Sequence, residues 1–142
     1  MTYFEDLSGD VIKNVGWLDA PQSYPQGEVA EDDIRAIERL VVHTWLPPYR
    51  AAGWHDCSLC PRAPTDGPLM REIEGRSRML GATEIWVPDG EVMYSAPTLI
   101  LHYIEDHQYR PPDVFLAALR KVDPASPDYR SECERIWNSQ KS

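Results

Sequence analysis

The residues best suited to chemistry crowd into Gly53-Trp54-His55-Asp56-Cys57-Ser58-Leu59-Cys60-Pro61. His55, Cys57 and Cys60 are soft or borderline metal ligands. A Cys-x-x-Cys spacing lets one tight turn present both thiolates to a single ion, while backbone N–H groups face the charged sulfurs. Well downstream, His102-Tyr103-Ile104-Glu105-Asp106-His107 adds two imidazoles. The pattern Cys-x2-Cys … His-x4-His falls within the ligand spacing of structural zinc sites, with a spacer much longer than that of a zinc finger. His55, Cys57, Cys60, His102 and His107 thus compete for the four places of a tetrahedral zinc. Four protein ligands make a closed structural site, and three plus water the catalytic form. Two thiolates without an obvious carboxylate base point to the closed, structural zinc.

Rival chemistries are less well supplied. Zinc nucleobase deaminases use His-x-Glu followed by Pro-Cys-x-x-Cys. Here Asp56 follows His55 directly, and the proline follows Cys60 instead of preceding Cys57. A CxxC dithiol redox protein has the right cysteine spacing but lacks the βαβ context. A metal-dependent hydrolase would need an open site with one histidine as ligand or base, and it stands as the alternative. No nucleophile-elbow motif and no Gly-rich phosphate loop is present. The acidic pairs Glu72/Glu74 and Glu105/Asp106 read as solvated faces. Cys133 reads as a buried helix residue packing as a small hydrophobe.

The elements that must position these ligands follow from pattern. Residues 1–30 are irregular, with short strand candidates at Val11-Ile12 and Val15 to Leu18. Glu31 to about Trp45 is a helix, because Ile34, Ile37, Leu40, Val41 and Trp45 recur at helical spacing and acidic residues occupy the first turn. Leu46-Pro47-Pro48 stops it. His43, near this end, reads as a surface or core histidine and not a ligand. Residues 47–70 are too rich in proline and glycine for a helix or central strand, and metal ligation would pin them. Met70 to Ile73 begins either a strand or a short helix.

Thr83 to Val87 and Glu91 to Tyr94 are β-rich runs across Pro88-Asp89-Gly90, a hairpin signal. The next helix is expected from Ser95-Ala96-Pro97 to about Gln108. On its wheel Leu99, Ile100, Tyr103 and Ile104 form the apolar face. His107 falls near the middle of that face, and His102 on its flank beside Asp106. Pro111-Pro112-Asp113 opens another helix with Val114, Phe115, Ala118, Leu119 and Val122 inward, and Pro124 and Pro127 break it. A last helix runs from about Asp128 to Asn138, carrying Tyr129, Cys133, Ile136 and Trp137. The expected class is α+β: a small antiparallel sheet with a β-hairpin (about 83–94) packed against three to four helices, plus a zinc-knuckle-like loop.

Composition bounds the rest. The 142 residues fit one domain, and 42% hydrophobic content is that of a packed protein. Only 14 basic residues face 23 acidic ones, a net charge of −9, which argues against a nucleic-acid or anionic-membrane partner. No apolar run is long enough to cross a bilayer. The first residues lack a basic n-region and an apolar h-region, so no signal peptide is expected. Three cysteines without a secretory signal point to a reducing, cytoplasmic setting.

Two resemblances follow from these residues. The order knuckle, hairpin, helix over roughly residues 55–107 resembles a treble-clef arrangement, departing from it in that His102 lies more than one turn inside the helix. More specifically, Gly53-x-His55-x-Cys57-x-x-Cys60, Leu80-Gly81-x-x-Glu84-Ile85 and Ala96-Pro97-x-Leu99-Ile100-x-His102-Tyr103-Ile104-x-x-His107-x-Tyr109-x-Pro111-Pro112 resemble an uncharacterised family of small bacterial proteins. That resemblance implies a bacterial, cytosolic protein and brings no known activity. The reading is therefore a non-enzymatic, zinc-binding bacterial domain acting through protein–protein contact, as an accessory, regulatory or immunity-type factor. Its surplus acidic charge suits a basic protein partner.

Overall fold

The computed structural model describes residues 3–43, 56–60 and 67–140. His55, and the expected helix end at Leu46-Pro47-Pro48, lie outside the described residues. So does most of the Pro-rich stretch.

Among the described residues, nine elements follow in chain order. They are β1 (Ile12–Asn14), α1 (Glu31–Val42), β2 (Met70–Ile73), β3 (Arg76–Met79), β4 (Glu84–Asp89), β5 (Val92–Pro97), α2 (Ile100–His107), α3 (Asp113–Leu119) and α4 (Pro127–Ser139). The class is the expected α+β. β4 and β5 form the hairpin read from Asp89-Gly90, in the register Asp89↔Val92 to Glu84↔Pro97. Gly90 carries the positive φ of 67° that a two-residue connection of this kind requires. β1 joins β5 on its other side in parallel, so the three-stranded sheet has the order β1-β5-β4.

The ambiguous Met70–Ile73 segment is a strand. It pairs antiparallel with β3 in a second hairpin, with Ile73 opposite Arg76. Glu74 and Gly75 both take positive φ, 52° and 77°, the conformation of a tight primed turn. Two hairpins, not one, therefore separate the knuckle from α2.

The start of α2 differs from expectation. Ser95, Ala96 and Pro97 stay in β5 because the sheet uses their backbone. The Ser95 carbonyl accepts from Val15 N and from Trp17 Nε1, each at 2.9 Å. Helical geometry begins only after Thr98, whose hydroxyl accepts from Gly81 N at 2.8 Å and donates to the Thr83 carbonyl at 3.2 Å. This fully buried threonine ties the turn before β4 to the entry of α2.

α1 carries the acidic first turn of Glu31, Asp32 and Asp33, and it buries Ala36, Ile37 and Leu40. In α3, Phe115, Ala118 and Leu119 face inward as expected, but Val114 is 48% exposed and Leu116 takes the inward place. Pro127 opens α4 instead of breaking its predecessor, and the Ser126 side chain accepts from Asp128 N. Tyr129, Cys133 and Ile136 are its buried residues, and Trp137 stacks on Trp86 with ring centroids 5.2 Å apart.

The α3 and α4 helices pack on β4, and α1 contacts α2, α3 and β4. Residues from β4, β5 and the helices α1 to α4 share one buried cluster that includes Ile37, Ile85, Met93, Ile100, Phe115 and Ile136. Among the described residues no helix is long and apolar enough to cross a membrane.

A buried hydrogen bond locks α4 onto the sheet: the Tyr129 hydroxyl donates to the Trp86 carbonyl at 2.7 Å. Tyr129→Phe would remove this buried bond, so urea denaturation should show a stability loss of about 1–2 kcal/mol with an unchanged m-value.

Candidate metal centre

Each donor at the centre is placed by local backbone chemistry. The knuckle is a tight turn in which Cys60 N donates to the Cys57 carbonyl at 3.4 Å. Ser58 Oγ accepts from Ala20 N at 2.9 Å and fastens the turn to the N-terminal segment. Cys57 is buried, while Cys60 is partly exposed.

From the other side, α2 supplies both imidazoles. The helix ends directly after His107, where Gln108 takes a left-handed conformation with φ 55°. The Tyr109 amide then returns to the Tyr103 carbonyl at 3.1 Å. This ending sets His107 at the rim of the last turn.

The two histidines, about 140° apart around an ideal helix axis, reach one point from either side of the helix edge. Their rings lie edge to face, with centroids 5.0 Å apart and planes at 80°. His102 Nε2 is 3.0 Å from Cys60 Sγ. His107 Nε2 is 3.2 Å from Cys60 Sγ and 3.4 Å from Cys57 Sγ. One donor atom from each of Cys57, Cys60, His102 and His107 falls within 4.8 Å of all the others, close enough to share one ion. Four of the five sequence candidates are thus brought together, and His55 lies outside the described residues. His43 sits exposed at the C-terminal end of α1.

The wheel ranks the two histidines in the wrong order of burial. His102 is only 8% exposed, and His107 is partly exposed. The knuckle covers the flank of α2 that the wheel leaves for solvent, and no periodicity within the helix reports that cover.

The carboxylate of Asp106 completes the arrangement. Its Oδ2 lies 2.7 Å from His102 Nδ1, one helical turn back. A hydrogen on Nδ1 donated to Asp106 leaves the Nε2 lone pair free to face the sulfurs. Metal-binding histidines are held in this way by a carboxylate or carbonyl on the far nitrogen.

Burial dominates the electrostatics of Cys57. It pushes the thiol up to about 12, and the neighbouring Cys60 adds to the rise, against an opposing hydrogen bond from the Leu59 amide. Without a cation the buried Cys57 therefore holds its proton, and binding a metal there must release it.

A second charged group buttresses the site. Arg71 on β2 donates to Glu38 of α1 at 3.0 Å through Nε and 2.9 Å through Nη2, and its Nη1 donates to Glu105 of α2. It bridges the second hairpin, α1 and the helix that carries both histidines. On pattern alone Glu105 belongs to a solvated face. Nothing local in the sequence pairs it with an arginine on another element.

A family model described as Domain of unknown function (DUF7919) matches residues 1–120, a span that contains all four donors. No curated protein and no solved structure matches the chain.

Two outcomes follow from this geometry. Asp106→Ala should weaken metal binding about 10- to 100-fold in a chelator competition, with little change in the far-UV spectrum. In metal-free protein, Cys57 and Cys133 are both raised to about 12 by burial, so the neutral thiols belong to the fold. Their contribution to stability is complete below the ordinary thiol value of about 8.5 and is lost as pH rises toward 12. Thermal melts of the metal-free protein from pH 8 to pH 11 should record a steadily falling midpoint.

Proposed function

The chain belongs to the family described as Domain of unknown function (DUF7919), and we propose that it is a zinc-binding domain that performs no catalysis and works through contact with another protein. The observation that carries this reading is the convergence of two sulfurs and two imidazole nitrogens, all within 4.8 Å, at the junction of the knuckle and α2. Mixed thiolate and imidazole donors favour zinc over the hard cations, which select oxygen. The spacing fits as well. A tetrahedral zinc with bonds of about 2.3 Å to sulfur and 2.0–2.1 Å to nitrogen has N···S edges of about 3.5 Å. The observed separations of 3.0 to 3.4 Å need to open only slightly to admit it.

Four protein donors close a tetrahedral shell and leave no position for a reacting water, which is the structural form of the site. The role of the ion is then mechanical. It fastens a short turn, which contributes little to the core beyond Cys57, Leu59 and Cys60, to a helix buried in that core. A net charge of −9 favours a basic protein as the partner.

Cobalt substitution tests the coordination directly. The Co(II) protein should show the intense visible absorption of a tetrahedral site with thiolate charge-transfer bands, both strongly reduced in Cys60→Ser and in His107→Ala. A weak, octahedral-type spectrum indifferent to those substitutions would remove the proposed site.

A further inference from the structure

A second feature of the fold lies on the N-terminal segment. A cavity of about 270 Å³ is lined by residues 3–6 and 23–25 and by Leu18. Three aromatic residues, Tyr3, Phe4 and Tyr24, line it together with the acidic Glu5 and Asp6. Its volume lies just below the 300–1,000 Å³ typical of pockets for drug-sized ligands, so it suits one side chain better than a metabolite.

The lining is also distinctive in charge. Three other surface cavities each include a cation: Lys121 in one, Arg39 and Arg120 in another, Arg35 and Arg71 in a third. This one has two acidic groups and no basic one.

The walls are fixed in place. Phe4 N donates to the Trp17 carbonyl at 3.2 Å, and the Phe4 ring meets Trp17 edge-on with centroids 5.8 Å apart. Arg110 N donates to the Pro25 carbonyl and Gly27 N to the Gln108 carbonyl, each at 3.0 Å, pinning the chain that carries Tyr24. Tyr24 rests edge-on against the fully buried Tyr109. Asp6 is held by Gly16 N at 3.0 Å and by the Tyr109 hydroxyl at 2.8 and 2.9 Å. Little reordering is needed to receive a ligand, which favours affinity.

Aromatic faces attract cations through the ring quadrupole, and adjoining carboxylates add charge attraction. We propose that this aromatic and acidic cavity binds the ammonium or guanidinium head of a lysine or arginine side chain presented by a basic protein partner. Burial raises the Asp6 carboxyl above the ordinary carboxylate range, and an arriving cation offsets that cost. The inference deepens the protein-contact half of the proposed function and makes no use of the metal.

The test is an amide-proton NMR titration of the zinc-loaded protein with four probes. These are blocked lysine, blocked arginine, the neutral isostere blocked norleucine, and tetramethylammonium. Blocked lysine or arginine should shift the amides of residues 4–6, 16 and 24, and norleucine should not. Tyr24→Ala and Glu5→Gln, two substitutions that leave the Asp6 hydrogen bonds in place, should each weaken the response about 3- to 30-fold. Zinc content of the same samples should be unchanged, which separates this outcome from that of the metal site.

Two results would overturn the inference. One is the absence of shifts with either basic probe while zinc is retained. The other is a response to tetramethylammonium alone, which would assign the cavity to free organic cations and not to a partner's side chain.

Discussion

The knuckle at Cys57 and Cys60 meets α2 through four donor atoms, and much of the local architecture is arranged to make that meeting possible. A turn this short buries little apolar surface, so hydrophobic burial alone cannot hold it. What it offers instead is two sulfurs, one of them buried. On the opposing helix the sheet fixes where α2 begins, because β5 keeps the Ser95 carbonyl occupied and Thr98 seals the entry. Gln108 fixes where it ends. The positions of His102 and His107 are consequences of those two boundaries.

Charge placement supports the same junction. Arg71 holds α1, α2 and the second hairpin together through Glu38 and Glu105, next to the helix face that bears the histidines. Exposed ion pairs contribute little to stability. This one is partly buried and two-sided, so its effect is chiefly to fix the relative placement of three elements. Asp106 acts at shorter range and orients a single imidazole.

Much of this was legible in the sequence, for reasons that differ by element. Soft ligand types at CxxC spacing and a histidine pair on a strongly apolar helix announce a cluster, since few other arrangements of those residues are common. Asp89-Gly90 between β-rich runs announces the main hairpin, and Pro111-Pro112 announces a helix start, whereas Pro127 reads as a breaker and in fact opens α4. The second hairpin was hidden because its turn uses Glu74 ahead of Gly75, where Asn or Asp would be the usual signal. The start of α2 was misplaced because Ser95-Ala96-Pro97 has the local chemistry of a helix cap, and only the pairing of β1 and β4 with β5 overrides it. The burial order of His102 and His107, the Arg71 bridge and the bond from Tyr109 to Asp6 all depend on contacts between segments far apart in the chain. A one-dimensional pattern carries no record of them.

The central claim, a structural zinc held by the knuckle and α2, is tested most directly by the metal content of protein purified without chelator. Plasma mass spectrometry on the wild type and on Cys57→Ser gives the comparison. The account predicts about one zinc per chain in the wild type, as a closed four-ligand site requires, and its loss from the variant together with a lowered melting temperature. A metal-free wild type in which Cys57 and Cys60 readily form a disulfide would contradict the account and favour a dithiol chemistry at the same turn.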